Sequence, residues 1–160
     1  MPLVARLEDE VAGAGVDDLF AQQRAHPAPE HEGVLVLRRV LVQRRRVDDP
    51  RERVRLALVD LYRWYRENEA LQLHVQGERA TVPELETWMA STVDVGLGQL
   101  ASGLAAGFSV RGKRAERLRA HLALALDFWA WHRLSREGLD DKMAADLMAD
   151  SVAAVASAQT

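Results

Sequence analysis

The sequence predicts an all-α protein, a helical bundle that occupies the chain from Asp49 onward. Three observations carry this. Apolar residues recur at the 3.6-residue spacing of a helix in successive stretches. The stretches are punctuated by helix start and stop signals. One of them, Leu122 to Trp131, is apolar almost all round, as a helix covered on two sides must be.

The first helix opens at Asp49-Pro50-Arg51-Glu52. Asp can accept from free backbone amides, Pro suits the first helical position, and Glu can reach back as in a capping box. Val54, Leu58, Leu61 and Tyr65 then form one stripe, and the helix should run to about Asn68. A short segment, Ala70 to Val75, continues helical after a bend and stops near Gly77. Thr81-Val82-Pro83-Glu84 is a second capping signature. It opens a long helix with Leu85, Met89, Val93, Leu97, Leu100, Leu104 and Phe108 on one face. Gly96, Gly98, Gly103 and Gly107 interrupt it, each costing about 1 kcal/mol relative to Ala, and a kink is expected around Gly96 and Gly98.

Ser109 to Gly112 reads as a loop. A helix from about Lys113 to Glu137 follows, ended by Gly138 as a left-handed cap. Asp140 caps the last helix, which runs to about Ser157 with Met143, Ala144, Leu147, Met148, Ser151, Val152 and Val155 in an apolar band. A domain this small covers one side of the helix at Leu122 to Trp131, so the other side should face a second copy. Two helices from each chain would make a four-helix dimer interface with two-fold symmetry. The expected interface residues are Leu122, Leu126, Trp129, Met143, Leu147, Met148 and Val152.

The 160 residues are 48% hydrophobic and 28% charged, enough for one globular domain that removes roughly 70% of its unfolded surface from water. There is no Cys, which excludes a disulfide scaffold. With 24 acids and 21 bases mixed along the chain, the net charge of -3 gives no reason to expect nucleic acid as a partner. No apolar run reaches the ~18 to 20 residues of a membrane span, and Met1 to Arg6 lacks the features of a signal peptide. A cytoplasmic protein without membrane contact is therefore expected.

The run Leu124-Ala125-Leu126-Asp127-Phe128-Trp129-Ala130-Trp131-His132-Arg133-Leu134, with Glu137-Gly138-Leu139 and Ala144-Ala145-Asp146-Leu147-Met148, resembles the last two helices of the tetracycline-repressor (TetR) family of transcription regulators. Asp60 to Glu69 is similar to the first helix of many of their C-terminal domains. The resemblance spans roughly residues 49 to 156. It implies a C-terminal domain, residues 49 to 158, that dimerises and holds a small hydrophobic effector in a cavity. Trp64, Tyr65, Trp88, Met89, Phe108, His121 and Phe128 come from the helices that would enclose that cavity. Asp127, the one polar residue between Leu122 and Trp131, is expected to be buried, either as the polar anchor of the pocket or as half of an ion pair across the dimer.

The family's N-terminal DNA-binding unit is not intact. Ala14-Gly15-Val16 with Leu19-Phe20 is similar to the end of its recognition-helix region, but the capping Ser or Thr is absent and no complete first and second helix precedes it. Residues 1 to 48 are thus expected to be a remnant or scrambled DNA-binding region, with DNA binding impaired or absent. The reading from another class is a ligand-free helical homodimer acting as an interaction module.

Other motifs are better read as structure. Gly96-Leu97-Gly98-Gln99-Leu100-Ala101 matches a dinucleotide fingerprint by letters, but the glycines lie inside a helical pattern with no preceding strand. Pro27 and Pro29 prevent a helix from aligning His26, Glu30 and His31 on a metal. His121 and His132, three turns apart, are too distant for one ion and read as hydrogen-bonded interior or interface histidines. Arg38, Arg39, Arg44, Arg45 and Arg46 could touch phosphates, yet flanking acids make a solvated segment the better reading. No nucleophile, base and orienting group come together, so no enzyme, metal or cofactor is expected.

Overall fold

A computed structural model describes residues 47 to 158, so the expectations for the first 46 residues, including the helix-turn-helix remnant, His26, Glu30, His31 and the cluster from Arg38 to Arg46, lie outside the described residues. The described chain is helical, with no strand among these residues. Its elements are α1 (Pro50–Glu67), α2 (Glu69–Glu78), α3 (Pro83–Ser91), α4 (Val93–Ala105), a 3-10 turn (Ala106–Phe108), α5 (Lys113–Leu126), α6 (Phe128–Arg136) and α7 (Asp141–Ser157).

Helix α1 starts as its sequence dictates: the Asp49 carboxylate accepts from the Arg51 amide at 3.1 Å, with Pro50 at the first position. Glu52 does not reach back to complete a capping box. It instead accepts two hydrogen bonds from the Arg55 guanidinium, at 2.7 and 2.6 Å, the stronger partner for a carboxylate. The buried face of α1, Val54, Leu58, Leu61, Tyr62 and Tyr65, lies at the centre of the core.

Three ion pairs mark the seam between α1 and α7: Arg51–Asp150 at 2.6 Å, Arg55–Asp146 at 3.8 Å and Arg66–Asp141 at 2.9 Å. The α7 partner falls in number as the α1 partner rises, so the helices are antiparallel. Exposed pairs of this kind contribute little energy, but they fix the register. On its other side α7 meets α5, again antiparallel. His121 Nε2 of α5 is 2.7 Å from Ser151 Oγ of α7, and Leu118, Leu122, Ala125 and Leu126 share the core with Ala145, Met148, Ala149 and Val152. Helix α4 packs on α5 through Leu100, Ala101 and Leu104.

The expected helix from Lys113 to Glu137 is broken at Asp127, between α5 and α6. The cause is tertiary. Tyr62 and Tyr65 donate their phenol hydrogens to the carbonyls of Ala125 and Leu126, both at 2.7 Å. The last carbonyls of a helix have no partner within it, and these two find theirs in side chains from α1. Asp127 then turns to extended backbone and accepts from the Ala130 amide at 3.0 Å, starting α6. Asp127 is consequently exposed, not the buried carboxylate expected from its apolar neighbours. The break also places His121 and His132 on different helices.

The kink expected at Gly96 and Gly98 lies instead at Thr92, between α3 and α4. There the Thr92 hydroxyl donates to Trp88 O at 2.6 Å, and its amide is shared between Trp88 O and Met89 O. A threonine bonding back to the preceding turn bends a helix. Thr81 does not cap α3; its hydroxyl donates to Glu78 O at 3.0 Å, and the helix starts on Val82-Pro83 without a side-chain cap. Gly107 serves close packing, since a Cβ there would stand 3.0 Å from Arg53 Nη1 and 3.2 Å from Pro50 Cβ of α1.

Gly138, at φ 88°, ends α6 with its amide on Ser135 O and the Leu139 amide on Leu134 O, the paired closure that needs a left-handed residue. Asp140 caps α7 by accepting from the Met143 amide at 2.8 Å. Asp141, one residue on, accepts from Arg66 and from the Trp131 indole N–H at 3.1 Å. One carboxylate thereby ties α1, α6 and α7 together.

Removing either phenol leaves a buried carbonyl without its donor. Tyr62→Phe and Tyr65→Phe should each lower the unfolding free energy by about 1 to 3 kcal/mol, read by urea denaturation. Asp127→Ala should cost about 1 kcal/mol, as loss of a helix cap does. Neutral Tyr→Phe variants would mean that water satisfies these carbonyls.

Candidate functional site

The residues expected around an effector cavity are distributed over α1, α3, the 3-10 turn, α5 and the start of α6. Tyr65 and Phe128 are 4% and 2% exposed, and they fill each other's surroundings. The Tyr65 ring lies 5.4 Å from Phe128 edge-on and 5.7 Å from both Trp64 and Trp131. Trp131 is fully buried with the Arg66 guanidinium 5.4 Å from its ring. Aromatic pairs at these separations are packed core. Trp64 and Phe108 are half-buried against that core. Trp88 is half-buried and Met89 buried on α3. His121 sits apart from the aromatic cluster, on the side of α5 that meets Ser151.

The residues expected at a dimer interface divide cleanly. Leu122, Leu126, Met148 and Val152 point into the core of their own chain. Trp129, Met143 and Leu147 are about half exposed, at 46%, 56% and 48%, and Leu124, on the α5 face opposite Leu122 and Leu126, is 52% exposed. Helix spacing explains the split, because Leu122, Ala125 and Leu126 follow one stripe and Leu124 falls opposite. The pairing of His121 with Ser151 sets Leu124, one turn on in α5, beside Leu147, one turn back in antiparallel α7.

The same outer side of the α5 and α7 pair carries an open groove of about 520 Å³. Helix α5 supplies Arg114, Arg117, Ala120, His121 and Leu124, and α7 supplies Val155 with Ala158 just beyond its end. Among the described lining residues, His121 is the one shared with the expected effector set. The sequence reading passed over Arg114 and Arg117, although 114, 117, 121 and 124 share one helical stripe. Their charge disguised the stripe, which an apolar count does not register.

Elsewhere the electrostatics serve the fold. Burial pushes the phenols of Tyr62 and Tyr65 well above their usual range, and the nearby Asp127 charge adds to this. Both stay neutral donors at any physiological pH. Arg79 bonds Asp94 and Glu86, joining the α2–α3 loop to α3 and the first turn of α4. Those bonds hold its proton more firmly than usual, with Asp94 the larger cause. Among the described residues no three His, Asp or Glu side chains converge to hold a metal, and no helix is long and apolar enough to cross a membrane.

No protein-family model matches this chain, and comparison with curated proteins and with solved structures finds no match either.

Two carboxylates give the pH dependence its sign. Hydrogen bonds from Arg55 hold Glu52, and hydrogen bonds from Arg79 hold Glu86, below the usual value of 4.5. A carboxyl lowered in the folded state stabilises fully above its unfolded value, and that contribution is lost as pH falls through the folded one. Wild-type melting temperature should therefore fall between pH 5 and pH 3 (about these limits) more steeply than that of a Glu52→Gln/Glu86→Gln variant. Parallel curves would remove these two groups from the acid response.

Proposed function

We propose that residues 49 to 158 are a homodimerisation domain of the TetR type, in which two copies join through the outer faces of α5 and α7. The observation that carries this is the exposure of Leu124, Trp129, Met143 and Leu147, each about half open to water on the last three helices. Leu124 and Leu147 are neighbours across the seam, and Met143 lies one turn before Leu147. Ala120 and Ala154 on the same two helices are small and exposed, which permits close helix approach. Asp150 is already taken up by Arg51 at 2.6 Å. Around Leu124 and Leu147 a second copy would thus meet apolar surface, as the centre of an interface requires, with Arg114 and Arg117 toward the start of α5 at its rim.

Self-association is the half of a TetR-like regulator's task that this geometry supports. An effector cavity among Trp64, Trp88 and Phe108 has less support, because the rings around Tyr65 pack on one another. The interaction-module reading gains accordingly: a helical homodimer whose partner is a second copy of the chain.

Glutamate at Leu126 or Met148 would test folding rather than association, since both side chains are buried in their own protomer. Leu124→Glu and Leu147→Glu instead place charge on exposed positions and should leave helicity and melting cooperativity near wild type. Light scattering after size exclusion should show a wild-type dimer and monomeric variants at micromolar concentration. A wild-type monomer, or variants that stay dimeric, would contradict the reading.

A further inference from the structure

The groove between α5 and α7 combines two guanidiniums with an apolar lining. At one end stand the guanidiniums of Arg114 and Arg117, one helical turn apart. Among the described residues neither has a carboxylate within ion-pair distance, whereas Arg51, Arg55 and Arg66 of α1 all do. Among the described residues no acidic side chain lines the groove. Val155 and Ala158 of antiparallel α7 lie across from Arg114 and Arg117, and Ala120 and Leu124 continue the apolar lining toward the other end. Ten residues of α5 separate Arg114 from Leu124, about 15 Å at the rise of an α-helix. Midway, His121 is engaged by Ser151.

We propose that this groove binds a long-chain carboxylate, with its head on Arg114 and Arg117, its first methylenes against Val155 and its tail along Ala120 and Leu124. Unpaired guanidiniums suit an anion, and the planar fork of Arg matches a carboxylate with two parallel hydrogen bonds. The apolar remainder selects a hydrocarbon tail over a polyanion, which would leave Leu124 and Val155 without a counterpart. Nucleic acid would also want aromatic rings for stacking, and none of the described lining residues is aromatic. Ala120 and Leu124 also belong to the face proposed for a second copy, so a bound carboxylate and self-association would compete for that end of the groove.

Dodecanoate below its micellar concentration is the probe, titrated into the full chain by calorimetry. One site per protomer is expected. An Arg114→Ala/Arg117→Ala variant should keep the wild-type melting temperature and bind at least about tenfold more weakly, a difference of about 1.4 kcal/mol. Leu124→Ser should weaken the tail contact, and dodecanol, with a neutral head, should bind more weakly than dodecanoate. Absence of binding to the wild-type chain, equal affinity in the double-arginine variant, or equally tight dodecyltrimethylammonium would overturn the proposal. So would binding of a short DNA duplex or of phosphatidylglycerol vesicles in place of dodecanoate. Light scattering on the same samples before dodecanoate is added reports self-association separately, so a chain that is monomeric then and binds dodecanoate refutes the dimer alone.

Discussion

Two phenol hydrogens decide where α5 ends. Tyr62 and Tyr65 donate to Ala125 O and Leu126 O at 2.7 Å each, and through them α1 holds the terminus of a helix some sixty residues further along the chain. A helix terminus buried without partners would cost several unsatisfied carbonyls. Because α1 supplies the donors, the chain can leave the helix inside the core, turn at Asp127 and start again as α6. The restart brings Phe128 and Trp131 against Tyr65, so the rings that anchor the break also fill the space beside it.

That junction sorts the apolar residues of the C-terminal half. With α1 and α7 on the inner side of α5, Leu118, Leu122 and Leu126 are buried, and Leu124 is turned outward beside Leu147. Tyr62, Tyr65, Phe128 and Trp131 are buried, while Trp129 on α6 and the aliphatic Leu124 and Leu147 on α5 and α7 stay about half exposed. In the interior Tyr65, Phe128 and Trp131 pack on one another. The outer face, by contrast, offers an apolar surface for a second copy and, at its arginine end, a groove with unpaired charge.

Much of this was legible wherever a local rule decides the outcome. Asp49-Pro50, Gly138 and Asp140 begin and end helices through bonds made within a few residues, and each stands where its chemistry put it. The break at Asp127 was hidden because an unbroken apolar run gives no sign of a terminus when its partners come from α1. The bend at Thr92 was hidden for a different reason: glycine weakens a helix, but a hydroxyl on the preceding carbonyl redirects it. Position on a stripe could not say which of Leu122, Leu124 and Leu126 faces inward, since that depends on which side α1 and α7 cover. Arg114 and Arg117 escaped notice because only the fold brings them beside Val155.

The central claim is that the outward face of α5 and α7, and not the residues buried beneath it, meets another copy of the chain. A mixed sample, half of it labelled with ¹³C at methyl groups and half unlabelled, tests this directly by filtered nuclear Overhauser spectroscopy. Contacts between chains should come from the methyls of Leu124, Met143 and Leu147. Their absence at a concentration where the protein is a dimer, or their appearance at Leu122, Leu126 and Val152 instead, would contradict the account.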